Sequence, residues 1–345
     1  MADAARLRIE YSSLAALRRH PAEWWHDVLA LVSYAAPDEL TALPLEDVPA
    51  AHVHLPVLPG RLDAAEIWHF GAPMRSGRNG RVRYRRSDRL VFASLSVAEQ
   101  EFDPALDAAS ASALRAATKA AYAELFGTLE SLGFAHPLRI WNVLPQINGD
   151  TPEGERYWHF NDARQEAFRL ARRAICGNVP AASALGSPGT ASSPLTIYCL
   201  AAAEAPIALE NPRQMHAWDY PARYGPRSPT FARACLEAGP IPALFVSGTS
   251  SIVGHASAHA GDAGAQTRET LRNIEAVLLA ANARLGTQRF SLGSLSYKVY
   301  VRRSPDREII ERELRTAVGS AAPTLYLGAD ICRRDLLVEI EAVGT

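Results

Sequence analysis

Lysine is almost missing from this chain. Lys119 and Lys298 are the only two among 36 basic residues, the rest being arginine. With 37 acidic residues the formal net charge is −1, and no basic run stands out. Nucleic acid and anionic membrane surfaces are therefore poor candidates for a main partner. Cysteine is scarce too. Cys176, Cys199, Cys235 and Cys332 are far apart and form no CxxC pair. That argues against a disulfide framework and reads as reduced thiols in a cytoplasmic protein. No apolar run reaches membrane-spanning length, and Met1 to Glu10 holds no apolar signal core. A Gly-rich phosphate loop is missing, as is a metal triad. His52 with His54, and His255 with His259, have spacings that a regular element could turn toward a metal. Each pair sits in irregular Gly- or Pro-rich surroundings without a third ligand, so no metal and no organic cofactor are expected.

What is present fits a soluble globular protein with a sizeable core. Of 345 residues, 48% are hydrophobic and 21% charged, enough for two domains. Leu14 to Ser33 has a helical pattern broken by Pro21, and Pro37 to Pro59 reads as an irregular lead-in. Strands are predicted over 65–71, 81–86 and 90–97. A helix over 111–132 follows from Leu114, Ala117, Ala121, Leu125 and Leu129, closed by Gly133. A strand over 138–147 and a helix over 156–174 come next. Gly177 to Pro194, rich in small residues and proline, reads as a loop before a strand over 195–201.

The alternation then returns. Strands over 244–247, 297–302, 324–327 and 337–343 enclose helices over 266–285 and 305–318. Ser304 and Pro305 are in place to open the second of these helices. Two related α+β domains, residues 1–210 and 211–345, are the economical organisation, each a mixed sheet with helices on one face.

The last of these strands poses a chemical question. Leu337 to Val343 alternates, so Glu339 and Glu341 share one face opposite Val338 and Ile340. Two carboxylates on a strand are ordinarily a solvated face. They are also what a rigidly held general acid with a charged neighbour would look like.

Phe245-Val246-Ser247-Gly248-Thr249, then Gln266 to Ile274, then Leu337 to Ala342 resemble, in order and spacing, the YjgF/Rid family of small trimeric imine deaminases. The chain is longer than one such domain. It adds Glu155 to Arg164, Glu210 to Gln214 and Tyr220 to Arg233. With these it is similar to the chorismatases, in which two such domains are fused in tandem. The deaminases grip a carboxylate with Arg at the position of Thr324, so the deaminase reading is weakened here.

The resemblance implies cleavage of chorismate to pyruvate and a hydroxybenzoate, 3-hydroxybenzoate and possibly 4-hydroxybenzoate, without a cofactor. Hydrolysis to a dihydroxycyclohexadiene acid is the variant chemistry. Glu339 would protonate the enolpyruvyl group, and Glu341 could raise its pKa. Arg164 and Arg233, with Tyr157 and Tyr220, would hold the two carboxylates, since guanidinium offers a bidentate fork. Cys332 and Ser250 fall where small side chains steer the product. A monomer or a homotrimer would fit the fused pair.

Overall fold

The computed structural model describes residues 6–59, 64–103, 111–189 and 193–345. The start of the N-terminal stretch and residues 190–192 of the expected loop lie outside the described residues. The N-terminal region is a sheet of its own. It contains β1 (Leu7–Ser13), the single turn α1 (Leu14–Leu17), β2 (Val28–Ser33), β3 (Ala50–His52) and β4 (Ala64–Phe70), in the order β1-β4-β2-β3. After Pro21 the helix expected through Ser33 is corrected to a 3-10 helix, Ala22–Asp27, followed by the strand β2. All of Val28–Ser33 is buried. A short run that is apolar on every side carries no period, and here its bordering β-branched valines settle into a sheet.

The first of two larger units contains β5 (Arg75–Asn79), β6 (Val82–Arg86), β7 (Leu90–Val97), α2 (Ala111–Ser131) and β8 (His136–Pro145). A small hairpin, β9 (Asp150–Thr151) and β10 (Gly154–Glu155), leads into α3 (Arg156–Leu170), β11 (Ala181–Ser187) and β12 (Leu195–Ala202). The expected loop at 177–194 is thus replaced in part by β11, a fully buried strand parallel to β8. Its small residues are what the packing needs. A Cβ on Gly186 would overlap Ile147 and Asp330. Ser183 spends its hydroxyl on buried charges.

The second unit contains β13 (Ile207–Leu209), β14 (Ala234–Glu237), β15 (Ala243–Ser250) and the short hairpin β16 (Ile252–Val253) and β17 (Ala256–Ser257). Then follow α4 (Ala263–Leu285), β18 (Ser296–Val301), α5 (Arg307–Val318), β19 (Thr324–Gly328), β20 (Asp330–Ile331) and β21 (Val338–Gly344). Ser304–Asp306 forms a 3-10 turn ahead of α5, and Ser304 is not its cap. The chain enters the second large sheet at Ile207, which pairs with Leu236.

The orders β11-β8-β12-β7-β6-β5 and β19-β18-β21-β15-β14-β13 are the same path drawn twice. Each has one parallel pair, joined across a helix, and antiparallel pairs elsewhere. The expected tandem α+β architecture is therefore present. In each half the final strand runs through the sheet's middle, and β20 crosses over to extend the first sheet beside β11. Helices α2 and α3 cover one face of the first sheet, and α4 and α5 one face of the second. The opposite faces and the N-terminal sheet share one core. There Trp68 of β4 meets Trp141 of β8 edge-on at 5.7 Å and lies 6.4 Å from Phe245 of β15. Glu339 and Glu341 point to this inner side, because Val338, Ile340 and Ala342 face the helices.

Candidate active site

Both carboxylates are buried, Glu339 at 4% and Glu341 at 2% exposure, so the solvated-face reading fails. Buried charge must be paired or neutralised, and the two residues take opposite routes. Glu341 accepts from Lys298 at 2.7 Å, Arg139 at 2.6 Å, Trp141 Nε1 at 2.8 Å and Ser183 Oγ at 2.9 Å. Burial alone would raise its pKa. Lys298 and Arg139 outweigh that and bring it to about 2. Among the described residues, no cation pairs with Glu339 as these do with Glu341. Burial first, and the ionised Glu341 second, push it up to about 8, against the weaker pull of Arg139, Ser250 and Arg302. Two carboxylates two residues apart therefore differ in protonation at neutral pH, the separation an acid catalyst requires.

The group that secures Glu341 reaches beyond its own sheet. Lys298 Nζ also lies 2.8 Å from Glu66 on β4, and Tyr34 donates to that same carboxylate at 3.2 Å. Burial lowers the pKa of Lys298, but Glu341 and Glu66 together raise it well above the ordinary value. Four strands from three sheets, β4, β8, β18 and β21, thus contribute to a closed cluster of two acids and two bases.

Glu339 faces a cavity of about 370 Å³. From the first unit come Glu155, Tyr157 and Trp158. The long connection between β13 and β14 adds Tyr220, Tyr224 and Arg233. Gly248 and Ser250 come from β15, and Cys332 and Arg333 from the turn before β21. Local sequence explains two of these placements. Pro221, Pro226 and Pro229 stiffen the β13–β14 connection, and Gly225, at φ +127°, lets Trp158 lie against the backbone. On β15, a Cβ at Gly248 would overlap the Glu339 carboxylate, so only glycine leaves the acid its place. Ser250 stands opposite Glu339 in the β15–β21 register and its hydroxyl donates to Val338 O at 3.0 Å.

Six of the seven residues singled out in the sequence line this one cavity: Glu339, Tyr157, Tyr220, Arg233, Ser250 and Cys332. Arg233 Nη2 donates to Tyr220 Oη at 2.8 Å and to Met215 O at 2.6 Å, while its Nε has no hydrogen-bond acceptor among the described residues and lies 3.9 Å from Glu210 Oε2. The Cys332 thiol is pushed to about 12 by burial and by nearby Glu339, so it is a volume in the wall and not a nucleophile.

Arg164 stands one layer behind the wall. Its Nη2 donates to Asn161 Oδ1 at 3.1 Å, and Asn161 in turn hydrogen-bonds Tyr157. Its Nε is buried without an acceptor, and no carboxylate among the described residues pairs with it. Thr324 caps its own turn by donating to Ala322 O and is not in the cavity wall. His255 faces Tyr224 and Arg223, and His259 faces Glu269, so the histidine pair does not converge.

Sequence reasoning missed Gly248, Arg333 and the Lys298–Glu66 support. Lys298 had left a trace. It is one of two lysines and interrupts the apolar strand Ser296–Val301. Glu66 had none, because its partner is 232 positions away (298 − 66).

Comparison with known proteins gives a consistent result. The family model for the chorismatase FkbO/Hyg5-like N-terminal domain matches residues 66–201. A 3-hydroxybenzoate synthase of Streptomyces hygroscopicus is 35% identical over 92% of this chain and 91% of its own length. A chorismatase of Streptomyces rapamycinicus is 36% identical over 81% of each. A crystal structure of a chorismatase superposes over the full length of both chains with a TM-score of 0.84 and 28% identity.

Proposed function

The chain belongs to the chorismatase family, and on that premise we propose that it cleaves chorismate to pyruvate and a hydroxybenzoate, chiefly 3-hydroxybenzoate. The observation that carries the reading is Glu339, buried beside an ionised Glu341 and facing a cavity with arginines in its wall. A relative that covers 92% of the chain is a 3-hydroxybenzoate synthase, which favours that product.

In this reading Glu339 delivers its proton to the terminal methylene carbon of the enolpyruvyl ether. The carbon bearing the ether oxygen becomes an oxocarbenium centre, and the ring C–O bond breaks with the ring's own 4-hydroxyl taking part. The ring loses one proton as it becomes aromatic, which balances the one delivered. Pyruvate and hydroxybenzoate together hold all the atoms of chorismate, so no external water is consumed. A carboxyl that stays protonated up to about pH 8 supplies the acid at physiological pH. Cys332 and Ser250 bound the space beside the reacting carbon and limit what else can attack it.

Arg233, aligned by Tyr220, takes one substrate carboxylate. Arg164 supplies positive charge for the other end from behind Tyr157. Arg164 has no internal carboxylate among the described residues, and Arg233 has Glu210 only at 3.9 Å; charge buried this way is costly, and an arriving anion relieves it. We also assign the enzyme to the cytoplasm, where its free thiols stay reduced. The fused pair of sheets favours a monomer, which light scattering checks against a trimer.

The test is direct. Purified protein is incubated with chorismate, pyruvate is followed by a coupled assay, and ring products are separated by chromatography. Pyruvate with 3-hydroxybenzoate is expected. Failure to release pyruvate would remove the reading. Arg164→Ala and Arg233→Ala should each lower kcat/KM by about tenfold or more.

A further inference from the structure

Several buried or half-buried arginines here are spent on internal carboxylates. Arg139 pairs with Glu341, Arg156 with Glu99 and Arg302 with Asp330. Arg333 is different. It lines the cavity next to Cys332, yet no carboxylate among the described residues pairs with it. Its Nη1 donates to His255 O at 2.8 Å and to Ser257 Oγ at 3.4 Å. Its Nη2 is buried and has no acceptor among the described residues.

The guanidinium is also fixed in orientation. It lies 3.9 Å from the Tyr224 ring centroid and 5.0 Å from that of Tyr220. Arg233 lies 5.6 Å from the same Tyr220 ring. Two cations therefore flank one tyrosine in the cavity wall; Arg333 Nη2 has no hydrogen-bond acceptor among the described residues, and Arg233 Nε has none closer than Glu210 at 3.9 Å. Stacking and the two Nη1 bonds hold the Arg333 plane in place, which lowers the ordering cost of binding an anion. A desolvated donor without an acceptor is unfavourable until such an anion arrives.

We propose that Arg333 binds a carboxylate of the substrate and forms, with Arg233 across Tyr220, a two-arginine clamp that selects small dicarboxylates. The proposal rests on the chorismate-cleaving reading above. It adds a cation from the turn before β21, the same turn that carries Cys332, so one short segment would set both affinity and the shape of the reacting space.

Arg333→Ala, Arg333→Gln and Arg333→Lys are compared with the wild type by steady-state kinetics on chorismate, with melting temperature measured alongside. Arg333→Ala and Arg333→Gln should raise KM about tenfold or more with kcat changed by less than about threefold. Arg333→Lys should recover little of the loss, because an ammonium has no fork. Guanidinium ion added to Arg333→Ala should restore part of it.

A purely structural role in tying down the β16–β17 hairpin would lower melting temperature and kcat together, without rescue by guanidinium, and would overturn the clamp. So would a wild-type KM in Arg333→Ala or, if that variant does not fold, in Arg333→Lys. These results refute the clamp while wild-type protein still releases pyruvate. Wild-type protein that releases none refutes the underlying reading, and the clamp with it.

Discussion

Replacing Glu339 by Gln keeps the size of the side chain and removes its transferable proton. If Glu339 is the acid, pyruvate release in Glu339→Gln should fall by about 10²–10⁴-fold, with substrate binding retained. The same substitution has a stability signature. Glu339 is raised to about 8 in the folded protein, from an ordinary value of 4.5. Across that window the folded state keeps a proton that the unfolded chain has released, so stability falls as pH rises from about 4.5 to about 8. Glu339→Gln escapes this loss. Its melting temperature relative to wild type should therefore climb between pH 5 and pH 8, roughly the span separating those two values; a difference flat with pH would contradict the shift.

Gly248 offers a finer probe. Gly248→Ala places a methyl group where the Glu339 carboxylate lies. Activity should drop by about tenfold or more while the secondary structure seen by circular dichroism is kept.

Along β21, one strand carries the proposed proton donor, Glu339, and the charge of Glu341 that raises its pKa. Activity that needs protonated Glu339 should hold below its pKa and decline above it, near pH 8. Glu341→Gln removes the neighbouring negative charge and leaves Arg139 and Lys298 less compensated. Both changes lower the pKa of Glu339, so the alkaline limb of kcat/KM should move to lower pH. A limb that stays put would separate the two carboxylates.

Lys298→Met breaks the cluster differently. Glu66 and Glu341 then face each other in the core without the cation between them. Chemical denaturation should show a loss of about 3–5 kcal/mol.

How far the sequence reveals such elements depends on the signal. The helices α2 and α4 and the strand β21 are legible because their periods, 3.6 and 2, are unbroken. β2 and β11 are not, because both are buried on every side, one by apolar residues and one by small ones. The acid at 339 could be found from its strand and its family likeness. What keeps the neighbouring Glu341 ionised could not, because Glu66, Lys298 and Arg139 come from three distant strands and only the fold brings them together.

At the scale of the molecule, three sheets close on one aromatic and ionic core. Ring pairs such as Trp141 on Tyr198, stacked at 4.7 Å, each add about 0.5–1.5 kcal/mol beyond burial. The salt bridges among Glu66, Lys298, Glu341 and Arg139 add specificity of assembly more than net stability.

That arrangement bears on how the protein is made. β21 is synthesised after every other strand of its sheet, yet it sits between β15 and β18 and pairs with both. While the ribosome is still reading residues 338–344, the second sheet exists only as two separate pieces. The Lys298 ammonium then lacks Glu341, and the floor of the cavity is missing. Folding of this half must wait for residues 338–344 to clear the exit tunnel, and the reactive centre assembles only after that. Chains stalled with residue 337 at the tunnel mouth should be cut by protease between β13 and β19, whereas chains stalled some tens of residues later, on an added linker, should resist. Equal resistance in both would show that the sheet can close without its middle strand.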